Sequence, residues 1–252
     1  MNDIENIENL LTRITCDCKD DGHSFQVRNR IEVIKEGLKS SEYTLLVEDN
    51  IFLLYGKRPL CPGNPVILIS SHIDCVYQQC FAKSCGDFYH GTFDNSFTNA
   101  AVLSLMQSGQ LPENVVVAFT GDEEHDSAGA IAVNVYLSKH QCPISFALVL
   151  DVTNAGWEDQ HLFAVENDFG IDLLTAHQIV EVLKPYEGKY TFLHNAEPDE
   201  TWDYDEYGIP CMTLSAPVGG SMHGEEGVLV RKQTFPIYCD VLLSIIKVIA
   251  KI

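Results

Sequence analysis

Acids and histidines recur just after apolar runs in this chain. They read His72-Ile73-Asp74, Asp94-Asn95, Glu123-Glu124, Asp151 and, last, His223. Before three of them stand Val66–Ile69, Val115–Phe119 and Ala147–Leu150, short apolar segments that read as buried strands. Ionisable groups at several strand ends, gathered on one rim of a sheet, can converge on divalent cations. A site holding two such cations is suited to hydrolysis.

Each group also has a plainer reading. In an extended segment residues i and i+2 face the same side, so Asp74 can reach back to the His72 ring. A ligating histidine commonly gives its second N–H to a carboxylate; the same triplet also reads as a histidine capping a strand. Asp94-Asn95 precedes a helical run and reads either as a turn at a helix N-cap or as a carboxylate shared by two metals. Glu123 and Glu124 either serve a helix N-terminus or divide two tasks, one binding metal and the other holding a proton. Asp151 at the tip of so apolar a strand is costly unless paired or metal-bound. His223 lies in the flexible loop Gly219–Glu225. The order of the set, after successive strands, favours the metal site.

The elements that must position these residues follow from hydrophobic spacing. Helical periods run over residues 4–14, 25–38, 96–107, 127–139, 172–183 and 233–251. Residues 43–47 and 51–55 flank Glu48-Asp49-Asn50 as a hairpin. Strands are expected at 66–70, 115–120, 146–150, 162–165, 190–194 and, last, 211–215, with a Cys- and Gly-rich loop between 72 and 94. Strand and helix alternate through the middle, which predicts a three-layer α/β/α fold on a mostly parallel sheet. Ligands in such sheets sit outside the carboxyl ends of the strands, where the candidate residues fall.

Composition sets limits. The 252 residues are 46% hydrophobic, enough for a full core, and 36 acids against 16 bases give a formal charge of −20. No basic field exists to attract phosphates, which argues against nucleic acid and anionic membranes as partners. The opening residues show no basic run followed by an apolar one, so no secretory leader is expected. The apolar run Val241–Ile246 is too short to span a bilayer. Nine cysteines in such a chain predict reduced thiols and a cytoplasmic location. Cys75, Cys80 and Cys85 do not have zinc-finger spacing.

The ordered set resembles the co-catalytic zinc exopeptidases: the bacterial leucyl aminopeptidase type and the related zinc carboxypeptidases and deacylases. Leu150–Asn154 and Tyr207–Pro210 look like the aminopeptidase branch. The resemblance covers residues from about Val66 onward. It implies that His72 and Asp151 bind one zinc, Glu124 and His223 a second, and that Asp94 bridges both. It further implies that Asp74 orients His72, that Glu123 is the general base for a zinc-bridged hydroxide, and that the Asp94–Asn95 peptide is cis. It implies a zinc-exopeptidase-like (phosphorylase/hydrolase-like) fold. The short separations His72–Asp94 and Asp151–His223 predict a single catalytic domain over residues 1–252, without an inserted lid or dimerisation domain.

The expected activity is hydrolysis of an amide or peptide bond in a peptide or aminoacyl substrate. Between Val152 and Met222 the only basic side chains besides histidines are Lys184 and Lys189. No arginine there could clamp a terminal carboxylate. The same stretch holds Glu197, Asp199, Glu200, Asp203, Asp205 and Glu206, an acidic wall suited to an α-amine, although the cluster also reads as a solvated loop. An aminopeptidase is therefore favoured over a carboxypeptidase or an N-acyl amino acid deacylase; Arg231, near His223, is the base that could reverse this. Glu200, Tyr204 and His194 are the candidates for substrate contact, the last two as substitutes for an oxyanion-stabilising tyrosine. A glutaminyl-cyclase-like transferase with one zinc and an inactive binding module are the remaining alternatives.

Overall fold

The computed structural model describes residues 2–16 and 28–251. Two helices, α1 (Asn2–Thr15) and α2 (Arg28–Leu38), lead into the hairpin β1 (Thr44–Glu48) and β2 (Phe52–Gly56). Next come β3 (Val66–His72), β4 (Ala82–Cys85), β5 (Phe88–Gly91), α3 (Ser96–Gln107), β6 (Val115–Thr120) and α4 (Ala128–Lys139). The second half holds β7 (Ile144–Thr153), β8 (Phe163–Phe169), α5 (Leu173–Leu183), β9 (Tyr190–Leu193), α6 (Glu200–Glu206), β10 (Cys211–Pro217), β11 (Val228–Arg231) and α7 (Thr234–Ile249). Residues 25–27 of the expected second helix lie outside the described residues.

Eight strands form the central sheet in the order β1-β2-β6-β3-β7-β10-β8-β9. Its middle, β6-β3-β7-β10, is parallel throughout. The hairpin joins one side antiparallel, and β8 joins the other antiparallel to β10. Alternation along β7 explains the two covered faces. Leu148, Leu150 and Val152 enter a large core with α1, α2, α3, α5 and α7, while Ala147 and Val149 face α4 and α6. The middle strands are buried on both sides and so read as continuous apolar runs.

Four details differ from the sequence expectations. Residues 72–94 are not simply a loop: β4 and β5 form a hairpin whose two-residue turn has Gly86 at φ 58°. Cys211–Ser215 is not the last strand. β11 follows it and pairs with β5 to complete a second, three-stranded sheet. The acidic segment after Asp199 contains a short helix, α6, capped by the Asp199 carboxylate. Asp151 lies within β7 rather than beyond its end. Among the described residues no helix is long and apolar enough to cross a membrane.

Helix α4 must approach the end of β6 very closely. The Gly129 amide donates to the Gly121 carbonyl at 3.0 Å, and a Cβ on Gly129 would lie 2.5 Å from that oxygen and 2.6 Å from the Gly121 nitrogen. Both are backbone atoms that cannot swing aside. Gly129→Ala should therefore lower stability by about 1–3 kcal/mol, read as a lower denaturation midpoint at unchanged m-value. An unchanged midpoint would show that this approach is not tight.

Candidate metal centre

Three strands of the central sheet, one loop and one helix start supply the site. His72 is the last residue of β3, and Glu123-Glu124 follow β6 after Gly121 at the strand's carboxyl end. Asp151 comes from β7, and His223 from the loop between β10 and β11. Asp94 directly precedes Asn95, the N-cap residue of α3.

These side chains converge. His72 Nε2 lies 3.2 Å from Asp94 Oδ1, 3.4 Å from Asp151 Oδ1 and 3.8 Å from Glu123 Oε2. His223 Nε2 lies 3.5 Å from Asp94 Oδ2 and 3.5 Å from Glu124 Oε2. The two oxygens of one carboxylate, Asp94, thus face two imidazoles on two sides. Ligand atoms of His72, Asp94 and Asp151 lie within 4.8 Å of one another, and so do those of Asp94, Glu124 and His223. A third such group, His72 with Glu123 and Glu124, overlaps both. Asp74 Oδ1 lies 3.3 Å from His72 Nδ1, and its other oxygen accepts the Glu124 amide at 3.2 Å.

The donors suit a divalent cation better than one another. Both ring nitrogens of His72, Asp74 Oδ1 and Glu124 Oε1 are buried and make no hydrogen bond. Buried polar atoms are ordinarily satisfied. Imidazole nitrogen with carboxylate oxygen is a donor set for zinc and its neighbours among the transition metals.

Electrostatics carry the same message. Burial opposes charge on His72, yet Glu123, Asp151, Asp74 and Asp94 hold its ring well above the usual imidazole range. Burial pushes Glu123 up to about 9 and Glu124 up to about 8, with neighbouring carboxylates adding to both. Asp151 rises to about 6, mainly by burial. Asp94 goes the other way: against its burial, contacts with His223 and His72 hold it well below the ordinary range. Asp94 in turn raises His223 to about 8. Without a cation, protons have to do part of the neutralising.

Several residues that the sequence reading missed hold the arrangement. Arg30 of α2 is fully buried and donates to the carbonyls of Ile73 (3.0 Å), Asp74 (3.1 Å) and Asp94 (3.3 Å). Its position on the apolar stripe of α2, before Val33 and Ile34, was the available signal. Asn95 donates its side-chain amide to the Leu150 carbonyl at 2.7 Å and accepts the Thr98 hydroxyl at Oδ1, but it caps no backbone amide of the helix it precedes. Asn99 donates to the His72 carbonyl at 2.9 Å. Tyr77 hydrogen-bonds to the Met222 carbonyl, and Glu225 accepts the Gln78 amide at 2.7 Å, which ties down the loop bearing His223. The Asp94–Asn95 peptide is cis.

A cavity of about 800 Å³ opens from these residues toward Glu166, Glu197 and Asp199. No lysine or arginine lines it. Three expected substrate contacts are absent from its wall. Tyr204 is fully buried in the core beneath α6, donating to Ser70 Oγ at 3.1 Å. Glu200 is buried behind the end of β6, where Thr120 donates to it at 2.5 Å. His194 is exposed and paired with Asp168 at 2.6 Å. Arg231 is also elsewhere, stacked 3.9 Å above the Trp157 ring and donating to the Trp157 carbonyl. Another depression of about 560 Å³, between Arg58–Val66 and Glu113–Val116, contains no histidine and only one acid.

Comparison with known proteins follows the same lines. Residues 51–230 match peptidase family M28. No curated protein matches the chain. Among solved structures, a TET aminopeptidase from a marine sediment thaumarchaeote superposes with a TM-score of 0.74 at 11% identity, covering 100% of this chain and 99% of that one. An aminopeptidase from the archaeon Desulfurococcus kamchatkensis gives 0.71 at 13% identity, covering 99% and 97%. Aminopeptidase PepT from Bacillus cereus gives 0.68 at 10%, covering 98% and 99%. At such identities the likeness is one of fold.

The raised carboxyls predict how the chelated protein responds to pH. In the unfolded chain Glu123 and Glu124 titrate near 4.5; in the folded chain they keep protons to about 9 and 8. Their stabilising effect is complete below the unfolded value and is lost as pH rises through the folded ones. His72, also raised, acts in the same direction; Asp94, lowered, contributes above the ordinary Asp range and loses its effect only in strong acid. The Tm of chelated protein should therefore fall from about pH 6 to about pH 9, and added Zn2+ should restore it most at the upper end. A Tm indifferent to both pH and Zn2+ would contradict this reading of the cluster.

Proposed function

Because the chain belongs to peptidase family M28 and is thereby a metal-dependent peptide hydrolase, we propose that it is an aminopeptidase whose two-metal centre is the cluster around Asp94. The observation that carries the proposal is the division of Asp94, one oxygen toward His72 and the other toward His223, each with a second carboxylate beside it. In this reading His72 and Asp151 hold one ion, Glu124 and His223 the other, and Asp94 both, with zinc the metal that best suits the donors. The whole chain then acts as one catalytic domain.

Bound there, the ions would supply Lewis-acid activation of the attacking water and of the scissile carbonyl. Glu123 is the residue left over for proton transfer. Its carboxylate lies 3.8 Å from His72 Nε2 and is assigned to neither ion, which leaves it available to take a proton. It takes the proton from the attacking water and delivers it to the leaving nitrogen. Asp74 fixes the His72 ring and is itself held by the Glu124 amide. The cavity wall binds the substrate's free α-ammonium through carboxylates. The absence of lysine and arginine from that wall, and the engagement of Arg231 with Trp157, support a free amino end over a terminal carboxylate.

Two measurements test the proposal. Zinc-loaded protein should hydrolyse aminoacyl anilides and free-amino peptides and leave N-blocked ones intact; cleavage of blocked substrates alone would reject the aminopeptidase reading. Glu123→Gln should keep its metal content yet lose turnover by about 10²- to 10⁴-fold. Near-normal turnover would remove Glu123 from the role of base.

A further inference from the structure

The cavity contains more negative charge than a metal pair and one α-ammonium require. Beyond the cluster lie Glu166, Glu197 and Asp199, with no basic side chain to meet them. Asp199 is already occupied: it caps α6 through the Thr201 amide at 2.8 Å and accepts from Asn167 at 3.1 Å and from the Thr213 hydroxyl. Glu166 is different. It is 5% exposed and has no cationic partner among the described residues; Thr153 donates to its Oε1 at 3.1 Å, and the Ser215 hydroxyl lies beside its carboxyl.

A buried hydroxyl stands at the same place. Ser215, 1% exposed, lines the cavity, and its hydroxyl makes no hydrogen bond. A serine hydroxyl can meet the carboxylate only with a neutral dipole, and burying the carboxylate's charge is costly unless a cation balances it.

Sheet register explains how these groups meet. Ser215 pairs with Asp151 across β10 and β7, and Thr213 pairs with Glu166 across β10 and β8. On this face of the sheet Asp151, Ser215 and Glu166 replace the apolar residues that fill the other face. A bulge in β8 at Asn167, φ 52°, shifts the register beside Glu166. Asn167 also fastens the cavity wall by donating to the Glu197 carbonyl at 3.0 Å and accepting the Ala196 amide at 2.8 Å. β8 lies two strands from β7, about 10 Å between axes. A group held by Glu166 is therefore set apart from one held at Asp151.

We propose that Glu166 and Ser215 form a side-chain subsite for a cation, so that the enzyme prefers substrates with a long basic residue, lysine, ornithine or arginine, at the amino terminus. The α-ammonium stays at the metal end, and the side-chain ammonium or guanidinium reaches Glu166 as an acceptor. This rests on the aminopeptidase reading, since it places the first residue's side chain in the cavity.

Lysyl and norleucyl anilides, which differ chiefly in the terminal charge, provide the test on zinc-loaded protein. The kcat/KM for lysyl should exceed that for norleucyl by about tenfold or more, the range of one buried charged hydrogen bond. In Glu166→Gln the lysyl-to-norleucyl ratio should fall at least about tenfold. Calorimetric titration with free L-lysine against L-norleucine should show the same order of affinity without turnover. A norleucyl anilide cleaved as well as the lysyl one by the wild type overturns the subsite, as does an unchanged ratio in a folded Glu166→Gln protein. Were only N-blocked peptides cleaved, the aminopeptidase reading would fail separately. The same lysine-to-norleucine comparison within blocked substrates would then decide the subsite: a Glu166-dependent preference would keep it and none would end it.

Discussion

One buried carboxylate sets the constraint that the rest of the site answers. Asp94 is 5% exposed and stands between two imidazoles, within 3.5 Å of each. Asp74, Glu123, Glu124 and Asp151 crowd around the same point. Charges of one sign at such spacing repel strongly in a medium of low dielectric. A fold keeps such a cluster only if protons or cations balance it. Protons balance it partly, as the raised carboxyls and the raised His72 indicate. The orphaned nitrogens and oxygens indicate what the proposed ions would add.

The scaffold around this cluster works largely through backbone carbonyls. Arg30 gathers three of them, from the end of β3 and from the turn before α3. Asn95 and Asn99 gather two more, from β7 and β3. Each bond fixes the peptide beside a site residue without using the carboxylate or imidazole itself. The small sheet serves a similar purpose for His223, whose loop is closed by the pairing of Gly219 with Leu229 and by Tyr77. The carboxylates of the proposed metal ligands therefore stay free to turn inward.

The convergence of these acids and histidines was legible because the strands that carry them are buried on both faces, so an acid or histidine after an apolar run is conspicuous. The parallel order of the middle strands and the covering helices were legible for the same reason. What could not be read depends on face and register. Glu166 lies in a strand expected to stop at Val165, and the bulge at Asn167 breaks the period of two that would have exposed it. Tyr204 and Glu200 share a seven-residue helix too short for a clear period, and both point inward instead of to the cavity. Arg30 sits on the apolar stripe of α2, and a guanidinium there makes sense only once three carbonyls from distant segments arrive together. The hairpin β4–β5 has exposed, polar residues on its outer strand and gave no apolar run to notice.

The central claim, that Asp94 joins two cation sites in one, is tested most directly by counting ions. Chelated protein titrated with Zn2+, with elemental analysis after dialysis, should take up two ions per chain, and Asp94→Ala should retain neither at comparable affinity. A single ion in the unaltered protein, or two ions still held firmly after Asp94→Ala, would contradict the account.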